Sequence, residues 1–117
     1  MDTENRYRVG RLIKISIMNI LKINRGKVEI RKDSGTLIRT IGTGNAISAD
    51  FNSTQTLIAI TTTKGKVEIR KESGTLLRTI GTGNATGARW NGSDIAITIA
   101  NGKTELRKEN GQLIRTI

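Results

Sequence analysis

The chain has 117 residues, enough for one modest core, and sets 20 Lys and Arg against 10 Asp and Glu for a net charge of +10. It contains no cysteine and no histidine, which removes disulfides, thiol chemistry, the commonest general base and the commonest metal ligand. So basic a surface attracts polyanions as a class, whether nucleic acid, anionic lipid or an acidic protein.

Residues 1–10 form a short segment in which acids precede basic residues, without the small-residue cleavage site of a signal peptide. No apolar run in the chain approaches the ~20 residues that a membrane span needs. The expectation is a soluble protein, cytoplasmic or virion-associated, with no membrane span. Residues 11–24, "RLIKISIMNILKIN", must supply two strands, an inner and a second one. They lead into the hairpin "GKVEIRKDSGTLIRTIGTGNA" from Gly26 to Ala46, which returns as "GKVEIRKESGTLLRTIGTGNA" from Gly65 to Ala85 and, shortened, as "GKTELRKENGQLIRTI" from Gly102. Gly26, Gly65 and Gly102 therefore recur 39 and then 37 residues apart, a period found in solenoids and propellers.

Within the hairpin, Lys32-Asp33-Ser34-Gly35 predicts a type I turn followed by a left-handed glycine. Carried straight back along both strands, that turn places Arg31 opposite Leu37, Ile30 opposite Ile38, Glu29 opposite Arg39 and Val28 opposite Thr40. The same register predicts cross-strand ion pairs Glu29 with Arg39, Glu68 with Arg78 and Glu105 with Arg115, each worth about 0.2–1 kcal/mol as structural contacts. Gly42-Thr43-Gly44-Asn45 and Gly81-Thr82-Gly83-Asn84 read as turns between units. Each is followed by a strand, whereas a dinucleotide fingerprint needs a helix there and a third glycine. Small-residue strands are expected at Ala46–Phe51 and Ala85–Trp90. Strands buried on both sides are expected at Leu57–Thr63 and Ile95–Ala100, closed by two-residue turns at Lys64-Gly65 and Asn101-Gly102.

A small-residue inner strand, an apolar second strand and a charged outer hairpin make a four-stranded unit that resembles a β-propeller blade. The stretch "ADFNSTQTLIAITTTKGKVEIRKESGTLLRTI" (Ala49 to Ile80) looks like a WD40-type blade. Ile69-Arg70-Lys71 stands where WD40 repeats carry Trp-Asp, and Gly81-Thr82-Gly83-Asn84 where they carry Gly-His, so the chain is similar to the propeller superfamily rather than to WD40 proper. The resemblance implies an all-β fold of three four-stranded blades: a degenerate first at 11–41, a second at 46–80 and a third at 85–117. Propellers close with 4 to 8 blades. Three blades imply a ring completed by copies of the chain, most simply a dimer of six blades, with a nine-bladed trimer as the less economical ring. A stacked β-solenoid is the alternative architecture, but its rungs are shorter or carry longer flat strands than these 4 to 7 residue runs.

No carboxylate pair converges, and nothing in the sequence requires a metal or cofactor. Phe51 and Trp90 hold equivalent positions where the blade pattern packs neighbours together. The basic residues Arg31 and Lys32, Arg70 and Lys71, and Arg107 and Lys108 recur beside the outer turn and would line one rim of a ring, the candidate contact for a polyanion. The functional expectation is a non-enzymatic, homo-oligomeric scaffold. A nucleic-acid or other acidic partner on the basic rim is the alternative, and a sugar binder or enzyme with a central-channel site ranks last.

Overall fold

The computed structural model describes residues 18–117. It is all β, with eleven strands in three antiparallel sheets among the described residues. The first sheet holds β1 (Ile20–Asn24), β2 (Lys27–Arg31) and β3 (Leu37–Ile41). The second holds β4 (Ala46–Phe51), β5 (Leu57–Thr62), β6 (Val67–Lys71) and β7 (Leu76–Ile80). The third holds β8 (Ala85–Asn91), β9 (Asp94–Ile99), β10 (Thr104–Lys108) and β11 (Leu113–Thr116). Each sheet is a meander in chain order. The inner strand expected for the first sheet, together with the basic segment 1–10, lies outside the described residues. No helix among the described residues is long and apolar enough to cross a membrane.

The turns follow from glycine placement. In the outer hairpin the Gly35 amide donates to the Lys32 carbonyl at 2.8 Å and the Lys32 amide to the Thr36 carbonyl at 2.9 Å, with Gly35 at φ 98°. This is the expected type I turn with a left-handed glycine. Thr63-Lys64-Gly65 closes in the same way, the Gly65 amide donating to Thr62 and the Thr62 amide to Lys66, so the connection has three residues rather than two. Ala100-Asn101-Gly102 repeats it. The two-residue turn instead joins Asn24 to Lys27 through Arg25 and Gly26, both at positive φ.

Beyond the outer turn the register departs from expectation. Arg31 does pair with Leu37, but a bulge skips Ile38, so that Ile30 pairs with Arg39, Glu29 with Thr40 and Val28 with Ile41. Equivalent bulges set Ile69 opposite Arg78 and Glu68 opposite Thr79, and Leu106 opposite Arg115 and Glu105 opposite Thr116. The expected pairs Glu29–Arg39, Glu68–Arg78 and Glu105–Arg115 are therefore not formed across the strands. Burial supplies the reason: an unbulged strand would place Ile41 and Ile80 on the charged face, whereas the extra residue turns both onto the apolar face beside Val28 and Val67. Ile41 and Ile80 are 6% and 5% exposed, and the skipped Ile38 is 37% exposed.

The sheets stack side by side, and the core lies between them in two layers. Val28, Ile30 and Ile41 of the first sheet pack against Ala46, Ile58 and Ile60 of the second. Ala59, Val67, Ile69 and Ile80 on the other face of the second sheet pack against Ile95, Ile97 and Ile99 of the third. Strand β5 is thus buried on both faces, as its run of apolar and β-branched residues requires. The trailing face of each sheet is the one turned toward the next sheet in chain order, and the leading face is the one turned toward the sheet before.

Candidate interaction surfaces

Each outer hairpin carries the same polar rung. Along a strand, residues two apart share a face, so the sequence Glu-x-Arg sets an acid beside a base without any partner strand. Arg31 Nε donates to Glu29 Oε1 at 2.9 Å, and its Nη1 to the Gly35 carbonyl at 2.6 Å. Arg70 contacts Glu68 and the Gly74 carbonyl at 2.9 and 2.7 Å, and Arg107 contacts Glu105 and the Gly111 carbonyl at 3.0 and 2.7 Å. The guanidinium ties the strand to its own turn. Hydrogen bonds from Arg31 and then from Asn24 hold the Glu29 carboxyl below its ordinary pKa. The acids of the expected cross-strand pairs therefore do have arginine partners, on their own strand. The signal for this lies in the sequence itself, in the repeated "VEIR", "VEIR" and "TELR".

The six residues expected to line a basic rim separate accordingly. Arg31, Arg70 and Arg107 are engaged in the rungs. Lys32, Lys71 and Lys108 stand exposed at the three hairpin tips. Of the arginines expected opposite glutamates, Arg78 instead reaches the next hairpin tip, with Nη2 at 3.6 Å from Glu109 Oε2. Both side chains of that pair are well exposed, which makes it weak. Arg39 and Arg115 are exposed.

Between sheets the contacts are specific. The Trp90 amide donates to Asp50 Oδ2 at 2.8 Å and the indole Nε1 to the Asp50 carbonyl at 3.1 Å, tying β8 to β4. Phe51, at the equivalent position, packs on the cluster between the first two sheets. The Asn19 amide donates to Gln55 Oε1 and Gln55 Nε2 to the Asn19 carbonyl, both at 3.0 Å. The Gly-Thr-Gly-Asn links run beneath the preceding turns: Ala46 N donates to the Gly26 carbonyl at 2.8 Å and Ala85 N to the Gly65 carbonyl at 2.9 Å. A Cβ on Gly26 or Gly65 would lie 2.1 Å from the carbonyl oxygen of Gly44 or Gly83, so no other residue fits there. Thr43 and Thr82 donate to Asn45 and Asn84 Oδ1 at 2.7 Å, pinning each link. The part Asp50 plays is not visible in the sequence, because its partner lies 40 residues away.

No family model matches the chain, and no curated protein matches it in sequence. Solved structures do match in shape. BamB from Moraxella catarrhalis superposes with a TM-score of 0.61 at 14% identity, over 83% of this chain and 33% of that one. The β-propeller domain of Cps50 (Swd1) from Myceliophteria thermophila superposes at 0.60 with 16% identity, over 88% of this chain and 38% of that one. The sheets are propeller blades. At these identities the likeness is one of fold, and the chain spans 33% and 38% of the two propeller chains. In propeller terms, Trp90, Asp50 and Gln55 join neighbouring blades, and the Glu-Arg rung stiffens each outer hairpin.

Proposed function

We propose that the protein is a non-enzymatic, homo-oligomeric propeller serving as a structural and protein-interaction scaffold, its ring closed by copies of the chain, most simply two for six blades. One observation carries this reading. On the trailing face of the third blade, Ile117 is 73% exposed, whereas its counterparts Ile41 and Ile80 are buried against the following blade. Leu106 and Thr104 are part-exposed where Ile30, Ile69, Val28 and Val67 are buried. Covering that face with another blade would remove from water the kind of surface that stabilises the two internal contacts, at roughly 25 cal/mol per Å² of apolar area. The polar groups support a scaffold rather than a catalyst, since Asp50, Glu29, Glu68 and Glu105 are all engaged in holding blades and hairpins together. Small-angle scattering at micromolar concentration tests the assembly. A closed ring is expected, and a curve matching one chain with a radius of gyration near the 16.1 Å of its Cα atoms would overturn it.

A second reading rests on Lys32, Lys71 and Lys108, exposed at equivalent tips of a chain with net charge +10. Repeated around a ring, they concentrate positive potential on one rim, which suits a polyanion such as nucleic acid.

A further inference from the structure

The repeat also dictates how one copy would meet the next. Gly74, at the tip of the second blade's outer hairpin, lies against Ile41 of the first blade, its would-be Cβ 3.0 Å from the Ile41 side chain. Gly111 of the third blade meets Ile80 of the second in the same way, at 2.9 Å. At one of the two contacts the tip acid pairs as well, Glu109 of the third blade with Arg78 of the second. Extended by one step, the pattern leaves one donor and one receiver without partners. Nothing among the described residues approaches the Cβ position of Gly35 within 4 Å, and Ile117 is the exposed counterpart of Ile41 and Ile80. Arg115 holds the position of Arg78, and Asp33 that of Glu109.

The geometry points to a head-to-tail seam between copies in which the first blade's hairpin tip docks on the partner's third blade, Gly35 over Ile117 of the partner subunit and Asp33 beside Arg115 of the partner subunit. The inference rests on the ring proposed above and names its contact. The seam is weaker than the internal contacts. Lys22 occupies the leading-face position held by the buried Ile60 and Ile97 in the other blades. Thr104 occupies the trailing-face position of the buried Val28 and Val67. Arg89, which cannot accept a hydrogen bond, stands where Asp50 receives the Trp90 amide. Each departure replaces an apolar or hydrogen-bonding contact with a more hydrated one, so the ring opens and closes with concentration while each chain's three blades stay together.

Sedimentation velocity over a dilution series tests the seam. Arg115→Glu sets like charges face to face. An exposed pair changes an equilibrium by a few-fold, and a two-fold ring contains the seam twice, so the variant assembles roughly tenfold more weakly or worse. Adding Asp33→Arg restores the pair in reverse and recovers assembly, and Thr104→Val, which returns the repeat's own residue, tightens it. Circular dichroism establishes that each variant is folded. An oligomer that Arg115→Glu leaves unchanged, or that the double variant fails to recover, overturns the seam while leaving the ring reading standing. A wild-type chain that stays monomeric throughout the series overturns the ring reading, and the seam with it.

Discussion

The contact between the second and third blades and the open trailing face of the third blade are made from the same repeat, yet one is buried and the other faces solvent. In the first, Val67, Ile69 and Ile80 are buried against Ile95, Ile97 and Ile99, and Asp50 holds the Trp90 amide. On the second, Thr104, Leu106 and Ile117 occupy the same three positions, with Arg89 in place of Asp50. The difference teaches that near identity of sequence does not mean equal stability. A blade is held chiefly by its neighbour, as in other repeat proteins, so a residue's weight depends on whether that neighbour is present.

Breaking the internal contact has the largest expected effect. Ile69→Ala opens a cavity between blades and is expected to cost about 2–5 kcal/mol in urea unfolding. Leu106→Ala, the same kind of truncation on the open face, costs the dilute chain much less, and equal losses would mean that the two faces are alike. Asp50→Ala leaves the Trp90 amide without its acceptor and is expected to cost about 1–3 kcal/mol, read from the same transitions. A smaller effect of opposite sign is expected at Thr61, the strand neighbour of Ile60 on the face that carries Ala59. Its hydroxyl is buried without a hydrogen-bond partner, so Thr61→Val stabilises by about 1 kcal/mol. Destabilisation instead would show that the hydroxyl has a partner.

The first blade sharpens the comparison through pH. The folded-state pKa of Glu29 is depressed, so its contribution is present above the unfolded carboxylate value and is lost as pH falls through the lower, folded one. Wild-type stability therefore declines on acidification through that window, and Glu29→Gln flattens this part of the profile. An unchanged profile would mean that the rung adds nothing to stability. For the basic rim, changing Lys32, Lys71 and Lys108 together to Gln is expected to shallow the salt dependence of nucleic-acid binding, by about 0.9 in log–log slope for each duplex phosphate that a lysine no longer neutralises. Absence of any retention of the wild type at low salt would make those lysines a solubility feature.

How much of this is legible in the sequence differs from one feature to the next. The three units, the strands and the left-handed Gly35 turn can be read because period, β-branched runs and turn residues are local signals. The bulges at Ile38 and Leu77 cannot, since register is decided by which residue the neighbouring blade buries, and Ile41 and Ile80 are claimed by the blade that follows them. The surroundings of the six basic residues at the hairpin tips are half legible. The lysines are exposed as expected, but the arginines beside them are held by Glu29, Glu68 and Glu105 two residues back. The Asp50–Trp90 contact needs the fold itself, because nothing in "SADFN" marks an aspartate that serves the next blade.

The central claim, that the open face of the third blade is covered by another copy, is tested most directly by native mass spectrometry of the 117-residue chain at micromolar concentration. An assembly of twice the 12.8 kDa chain mass that dissociates on dilution is the expected result. A folded species that remains at 12.8 kDa at every concentration would contradict it.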